Sequence, residues 1–450
     1  MNTKEIWKWI GLALIGCFLL PAAALAQDGQ MQTPLNKSVV STLKNNPRLD
    51  VLKNNREAVK HDVRKAKGGY LPDLDARVGF GVDRHSDTVS RATDYYNDWD
   101  KREEYSLVLR QLLWDGWETS SFVGVSESKL DSVQHRVFDN AESLALDAVI
   151  AYLDVYRQRE LVRFAEDNMD AHKRILRSLR ERQEMGAGSL ADVRQTQSRL
   201  SRARSSLADA QGGLRVALAN YRRVVGEAPP EDMILPVKPI GAVPETQQTA
   251  LKRSRTGNPK LSAATSDIET ARQNMRLSQS KLYPNVYAEA STSYDHWVES
   301  SRDWEHNTAL MLRMNWNLYN GGSDVAEQDA AMYRMRQAAA DRYDLMLEIE
   351  DETRATWSRY QTAQDKIQNF RQAKKYNQQT LEMYLEQFNV GQRSLLDVLD
   401  AENEYFQTSG LLVTSQANEI IAAHRLLALE GSLLSALSVD PALYTGPPNK

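Results

Sequence analysis

The sequence predicts a mainly α-helical chain with a transmembrane β part: long antiparallel helical rods and four β-strands. Three observations lead there. The chain repeats itself once, end to end. A segment of about 68 residues, 323–390, runs without proline or glycine and keeps a coiled-coil spacing of apolar positions. Each repeat also carries two short runs in which apolar and polar residues alternate, the pattern of a strand with unlike faces.

The first 26 residues read as an export signal. Lys4 and Lys8 precede an apolar run over 10–20, and Ala24 and Ala26 flank a small-x-small cleavage site, so the mature chain is expected to begin near Gln27. Cys17 is the sole cysteine, and "LIGC" over 14–17 loosely matches a lipoprotein box. The apolar run continues through Phe18, Leu19 and Leu20, where such a box would turn polar, and cleavage after Ala26 is the expectation. The mature chain is then cysteine-free, without disulfides or thiolate metal sites.

The repeat is read from paired segments. "NNPRL" (45–49) returns as "GNPKL" (257–261), and "GGYLPDLDA" (68–76) as "SKLYPNVYA" (280–288). Pro47 and Pro72 lie 212 positions before Pro259 and Pro284. Farther on, "LLWDG" (112–116) answers "NLYNG" (317–321), and "EMGAGSLADV" (184–193) answers "NVGQRSLLDV" (389–398), at an offset of 205. The change of offset falls between 76 and 112, where a loop insertion in the first copy explains it. From Gly116 to Gly186 the two copies have equal length, as expected of rods lying side by side.

Expected boundaries follow. The first repeat spans 27–225, with strands at about 72–82 and 103–114, a long helix at 117–185 and a helix at 189–225. A linker over 226–248 contains Pro229, Pro230, Pro236, Pro239 and Pro244 and is non-helical. The second repeat spans 249–437, with strands at about 285–295 and 308–319, a long helix at 322–390 and a helix at 394–437. A tail, 438–450, closes the chain.

In the second long helix Ile349, Thr353, Thr356, Tyr360, Ala363, Ile367 and Phe370 recur at alternating spacings of 3 and 4. This is a left-handed coiled-coil seam. Lys374 and Asn377 interrupt it, and Leu381, Tyr384 and Phe388 resume it. Such a rod is roughly 100 Å long at 1.5 Å per residue. In the strands, Leu74, Ala76, Val78, Phe80 and Val82 alternate with Asp75, Arg77, Gly79 and Gly81. Leu310, Leu312, Met314, Trp316 and Leu318 alternate with Met311, Arg313, Asn315 and Asn317. Runs of about 10 residues with one apolar face fit lipid-facing transmembrane strands. Tyr70, Trp114, Tyr283, Trp316 and Tyr319 at one end, and Tyr95, Tyr96, Trp99, Trp297 and Trp304 at the other, fit interfacial girdles. Soluble amphipathic hairpins are the plainer reading of the same alternation. Four strands cannot close a barrel, and open edges are not tolerated in lipid, so the chain must oligomerise. Two copies give 8 strands and three give 12; the strand pattern does not choose.

Net charge is −4 and mean hydropathy −0.55, which favours neither nucleic acid nor a polytopic helical membrane protein. Phosphate-loop, HExxH and CxxC motifs are missing, and the seven histidines lack ligand spacing. "GFG" (79–81) lies within a strand, Glu103 and Glu104 sit beside a loop, and His296 and His306 flank a loop as solvent-exposed residues. Neither an enzyme nor a cofactor is expected.

The doubled "NP", the "YLP" and "LYP" entries to the strands, the "LYNGG" exit at 318–322, the paired turns "MGAGSLADV" and "VGQRSLLDV", and "ANYRRVVGEAP" at 219–229 together resemble the TolC-like outer-membrane channel, or outer-membrane efflux, proteins. The resemblance covers essentially the whole mature chain. It implies a homotrimer in the Gram-negative outer membrane, with one 12-stranded barrel continued by a helical tunnel across the periplasm. A small mixed region formed by the linker and the C-terminal segment would girdle its middle. It also implies a periplasmic gate. Arg393, Asp397 and Asp400, at i, i+4 and i+7 on one helical face, match the family's gate arginine and its two rings of aspartates. Asp192 matches an acid that pairs with an aromatic hydroxyl, a place held here by Phe388, which has none; Ala191 stands where a threonine would. By spacing alone, Arg393 and Asp397 are a surface pair worth ~0.3–0.5 kcal/mol. Rings of Asp397 and Asp400 would attract cations; no other metal site is expected.

The resemblance implies partners too: a periplasmic adaptor docking on tips at Gly186, Ser189, Leu190, Gly391, Ser394 and Leu395, an inner-membrane ABC transporter, and outer-membrane lipid. Within the family, "VGQRSLLDVLDAENEYF" and "RRVVG" look most like type I secretion and adhesin-export members. A multidrug efflux duct with a resistance-type pump is the second reading, and a non-conducting periplasmic coiled-coil adaptor the third.

Overall fold

The computed structural model describes residues 33–446 apart from 85, 87, 89, 93–98, 240 and 297–302. The expected export signal with Cys17, the residues Tyr95, Tyr96 and Trp297, and the end of the tail lie outside the described residues.

The first repeat comprises α1 (Pro34–Asn45), α2 (Pro47–Gly68), β1 (Asp73–Asp83), β2 (Asp100–Trp114), α3 (Glu118–Glu184) and α4 (Leu190–Val225). The second comprises α5 (Gln247–Gly257), α6 (Pro259–Ser280), β3 (Asn285–His296), β4 (Trp304–Asn315), α7 (Ser323–Asn389) and α8 (Leu395–Leu429), followed by α9 (Leu433–Ala436) and α10 (Ala442–Thr445). The doubled Asn-Pro explains the break between the first two helices of each repeat. Asn46 caps α2 by accepting from the Arg48 amide, and Asn258 caps α6 by accepting from Lys260 and Leu261. Proline then takes the first helical position, where no amide hydrogen is needed.

The rods α3 and α7 are 67 residues each. α3 packs against α4 and α6, and α7 against α8 and α6; contact between α3 and α8 joins the repeats. The buried positions of α7 include Ile349, Thr353, Thr356, Tyr360, Ala363, Ile367, Leu381 and Phe388 of the seam that the spacing predicts, with Ala331, Glu350 and Trp357 added; Phe370 and Tyr384 are only half-buried. Among the described residues no helix is long and apolar enough to cross a membrane.

The strands form one antiparallel sheet in the order β1-β2-β3-β4. The central β2–β3 pairing joins the repeats, with Leu109 opposite Ala290 and a bulge between Leu112 and Trp114. One face carries Leu74, Leu107, Leu109, Leu310, Leu312 and Met314, all exposed in the single chain. On the other face Glu289 accepts from Arg110 at 3.2 Å and Arg313 at 2.8 Å. β1 and β4 each have one partner strand and one open edge.

Several boundaries move. β4 occupies 304–315, not 308–319. Its final pair is Asn285 with Asn315, and β3 can extend no farther back because Pro284 has no amide hydrogen. β2 starts at Asp100 because its ladder with β1 runs on to the Asp83–Asp100 pair. The helix expected over 394–437 ends at Leu429. There Gly431, at φ +67°, and Ser432 turn their amides back to Ala428 and Leu427. Among its described residues the linker forms no strand; its prolines cannot supply a ladder.

Linker and C-terminal segment both bind the middle of α3. Tyr152 donates to the Ile234 carbonyl at 3.0 Å, and Arg159 holds the carbonyls of Pro230 and Glu231. The buried Glu142 carboxylate accepts from the amides of Leu433 and Leu434 at 3.1 and 3.3 Å. Lys53 and Arg56 of α2 donate to the carbonyls of Leu443, Thr445 and Gly446. A core containing Leu43, Leu49, Tyr152, Leu153, Tyr221, Leu427 and Leu433 lies beneath.

Two glycines test this packing. Gly391 and Gly431 both have positive φ, but a Cβ at Gly391 meets nothing within 4 Å, whereas at Gly431 it lands 2.6 Å from the Gly257 carbonyl oxygen. Gly391→Ala should cost about 1–2 kcal/mol for the left-handed backbone alone. Gly431→Ala should cost about 1–3 kcal/mol more for overpacking. Denaturant unfolding of the two variants compares them, and equal losses would contradict the close crossing.

Candidate functional site

The two helix-to-helix turns are built alike. In the first, the amides of Met185, Gly186 and Ala187 return to the carbonyls of Glu181, Gln183 and Arg182. In the second, Val390, Gly391 and Gln392 return to Glu386, Phe388 and Gln387, each pair 205 positions on. Gly186 and Gly391 adopt φ of +76° and +79°, a backbone that L side chains rarely take. Ser189 then caps α4 by accepting from Ala191, and Ser394 caps α8 by accepting from Asp397. Both turns close from their own backbone and caps.

Beneath them Ile175, Leu176 and Leu179 of α3, Val193 and Leu200 of α4, Leu381 and Phe388 of α7, and Leu395, Val398 and Leu399 of α8 make a separate core. Leu395 is thus 6% exposed and is withdrawn from any docking surface in this conformation. It begins the inward stripe with Val398 and Leu399, at i, i+3 and i+4. Its counterpart Leu190 is 58% exposed. Met185, Val390 and Leu396 are exposed apolar residues at the same end, which the spacing did not single out.

Arg393 precedes α8 rather than sharing its face, because the helix starts after the Ser394 cap. Its Nε still comes within 3.4 Å of Asp397 Oδ2, without hydrogen-bond geometry, and its guanidinium lies 3.7 Å over the Tyr384 ring. Asp400 has a different partner: its Oδ1 accepts from Arg199 Nη2 of α4 at 3.1 Å. Asp192, in the first turn of α4, has no side-chain partner among the described residues. Phe388 meets Arg182 of α3, whose guanidinium lies 4.8 Å over the ring. Sequence reasoning missed Arg182 and Arg199, and it took Tyr384 for packing alone.

Buried polar groups line the neighbouring α3–α8 seam. Burial pushes the Glu402 carboxyl up to about 7, opposed by Arg174 and reinforced by Asp167. Burial holds His172 below its usual value, and Arg199 adds to that. Asn168 Oδ1, His172 Nδ1 and Ser409 Oγ are buried without a hydrogen-bond partner. Unpaired polar groups so deeply buried are costly to the packed seam. Among the described residues no cluster of three or more His, Cys, Asp or Glu could hold a metal ion.

Comparison with known proteins agrees over most of the chain. The profile of the family described as "Outer membrane efflux protein" matches residues 39–227 and 250–432. The chain is 24% identical to the outer membrane efflux protein BepC of Brucella suis over 428 residues, 95% of this chain and 91% of that protein. It is 21% identical to the alkaline protease secretion protein AprF of Pseudomonas aeruginosa over 445 residues, 96% of this chain and 90% of that one. Its fold matches the Campylobacter jejuni CmeC outer membrane channel with a TM-score of 0.78 at 13% identity, over 89% of this chain and 86% of that one.

The seam yields a pH dependence with a defined sign. Glu402 binds its proton more tightly folded than unfolded, so stability is highest below the unfolded value of 4.5 and declines as pH rises toward about 7. Glu402→Gln should unfold near the parental denaturant midpoint at pH 4.5 and above it at pH 8. A variant weaker than the parent at pH 8 would contradict the assignment.

Proposed function

Since this chain belongs to the outer membrane efflux protein family, a family of channels rather than enzymes, we propose that it works as the homotrimeric exit duct of a type I secretion system. The observation that carries the duct is the four-stranded sheet, with an apolar outer face and open edges at β1 and β4. In lipid each edge needs a partner strand. β4 of one copy beside β1 of the next closes a 12-stranded barrel in three copies, and α3, α4, α7 and α8 continue it into the periplasm.

Asp397 and Asp400 from three copies place six carboxylates around the narrow end of the tunnel. Like charges so close repel and draw in cations. The periplasmic adaptor docks on the tips around Gly186, Ser189, Leu190, Gly391 and Ser394, where Met185, Val390 and Leu396 add apolar surface. Leu395 stays in the core until the tip rearranges. The cargo crosses passively, and an inner-membrane ABC transporter supplies the energy.

Secretion is favoured by the second turn and by the end of the first repeat, and AprF, named for protease secretion, is similar over nearly all of the chain. Drug efflux with a resistance-type pump is the second reading, favoured by the similarity to BepC, named an efflux protein.

Reconstituted protein should give a low-conductance, cation-preferring pore. Asp397→Ala with Asp400→Ala should raise single-channel conductance several-fold and weaken the cation preference; absence of a pore in either form would overturn the duct. Deleting the gene should abolish export of a surface or secreted protein. Normal export with new sensitivity to dyes and detergents would assign the chain to efflux instead.

A further inference from the structure

The contacts at the tip fall into two groups. Arg393 stays within the second repeat's own helix pair: Tyr384 is on α7 and Asp397 on α8. A movement of α7 and α8 together leaves those contacts intact. Arg182 and Arg199 differ, because each reaches from the first repeat to the second. Arg182, in the last turn of α3, points Nη1 at the Phe388 carbonyl at 3.4 Å and Nη2 at the Asn389 carbonyl at 3.5 Å, and covers the Phe388 ring. Arg199 on α4 donates to Asp400 on α8.

We propose that Arg182 and Arg199 form a two-point latch by which the first repeat holds the second repeat's tip closed, Arg182 gripping the end of α7 and Arg199 the side of α8. The chemistry suits each point. The Phe388 carbonyl already accepts from the Gly391 amide of the turn, and both final carbonyls carry the negative end of the helix dipole, so a cation is favoured there. Phe388 offers a ring face and no hydroxyl, and a guanidinium can stack on that face while its two outer nitrogens reach both carbonyls. A lysine could supply the charge without the stacked fork. The second point has an electrical consequence. Arg199 neutralises Asp400 and turns it toward α4, so the charge that Asp400 presents to the tunnel depends on whether the latch is shut. Opening then releases the Asn389 carbonyl on α7 and one carboxylate on α8 per chain, while the Phe388 carbonyl keeps the Gly391 amide.

This latch rests on the gate reading above, and its test separates the two. Spin labels are placed at Ala187→Cys and Gln392→Cys in the full chain with Cys17→Ser, and labelled chains are diluted with unlabelled ones. The parent should give one narrow distance between the tips. Arg182→Ala and Arg199→Gln should each broaden and lengthen it, and Arg182→Lys should fall between. Phe388→Leu, which keeps both carbonyls, should resemble Arg182→Lys. Distances unchanged in both arginine variants would overturn the latch, whether or not a pore is measured. In bilayers, Arg199→Gln should raise cation preference while Arg182→Ala should raise conductance. If Asp397→Ala with Asp400→Ala raises conductance while neither arginine variant changes conductance or tip distance, the gate stands and the latch fails. If the arginine variants shift the tip distances and the aspartate variants leave the current unchanged, the latch stands and the aspartate gate fails.

Discussion

The structure is governed by the hydrogen-bonding demand of a strand edge. A sheet of four strands leaves two rows of amides and carbonyls open, one on β1 and one on β4. Water satisfies them in solution and hydrocarbon does not. The same sheet presents Leu74, Leu107, Leu109, Leu310, Leu312 and Met314 on one face and the Arg110–Glu289–Arg313 cluster on the other. A sheet so polarised suits a curved wall, with hydrocarbon outside and water within. The helices inherit that arrangement: α3 and α7 leave the sheet with α6 packed against both, and α4 and α8 return along them.

Joining the repeats is the second requirement. They share the central β2–β3 ladder at one end and the tip core at the other, with a long span between. The linker and the C-terminal segment meet it at the middle of α3. Glu142 accepts two amides at the start of α9, while Lys53 and Arg56 hold carbonyls in and just after α10.

Much of this was legible in the sequence because it follows from periodicity. The repeat, the 3–4 spacing of α7 and the alternation of the strands are written in residue types alone. What was not legible depends on distances between elements far apart in the chain. Leu395 reads as a surface residue of a turn until the helix start at Ser394 turns it inward with Val398 and Leu399. β4 reads as reaching Tyr319 until Pro284 on the neighbouring strand ends the ladder. Arg182 is one of many arginines on α3, and only its approach to the end of α7 sets it apart. Asp400 reads as the companion of Asp397, yet its partner lies 201 positions away.

The equal rods also constrain how such a chain can change. α3 and α7 each have 67 residues, and their turns close through the same backbone bonds. Deleting a few residues from one rod would rotate every seam position below the cut and leave one tip short of the other. Only whole heptads, removed from both rods and from the returning helices together, preserve the seams. The rods therefore act as a ruler engraved twice, and a lineage that needs a different reach must revise both copies in step.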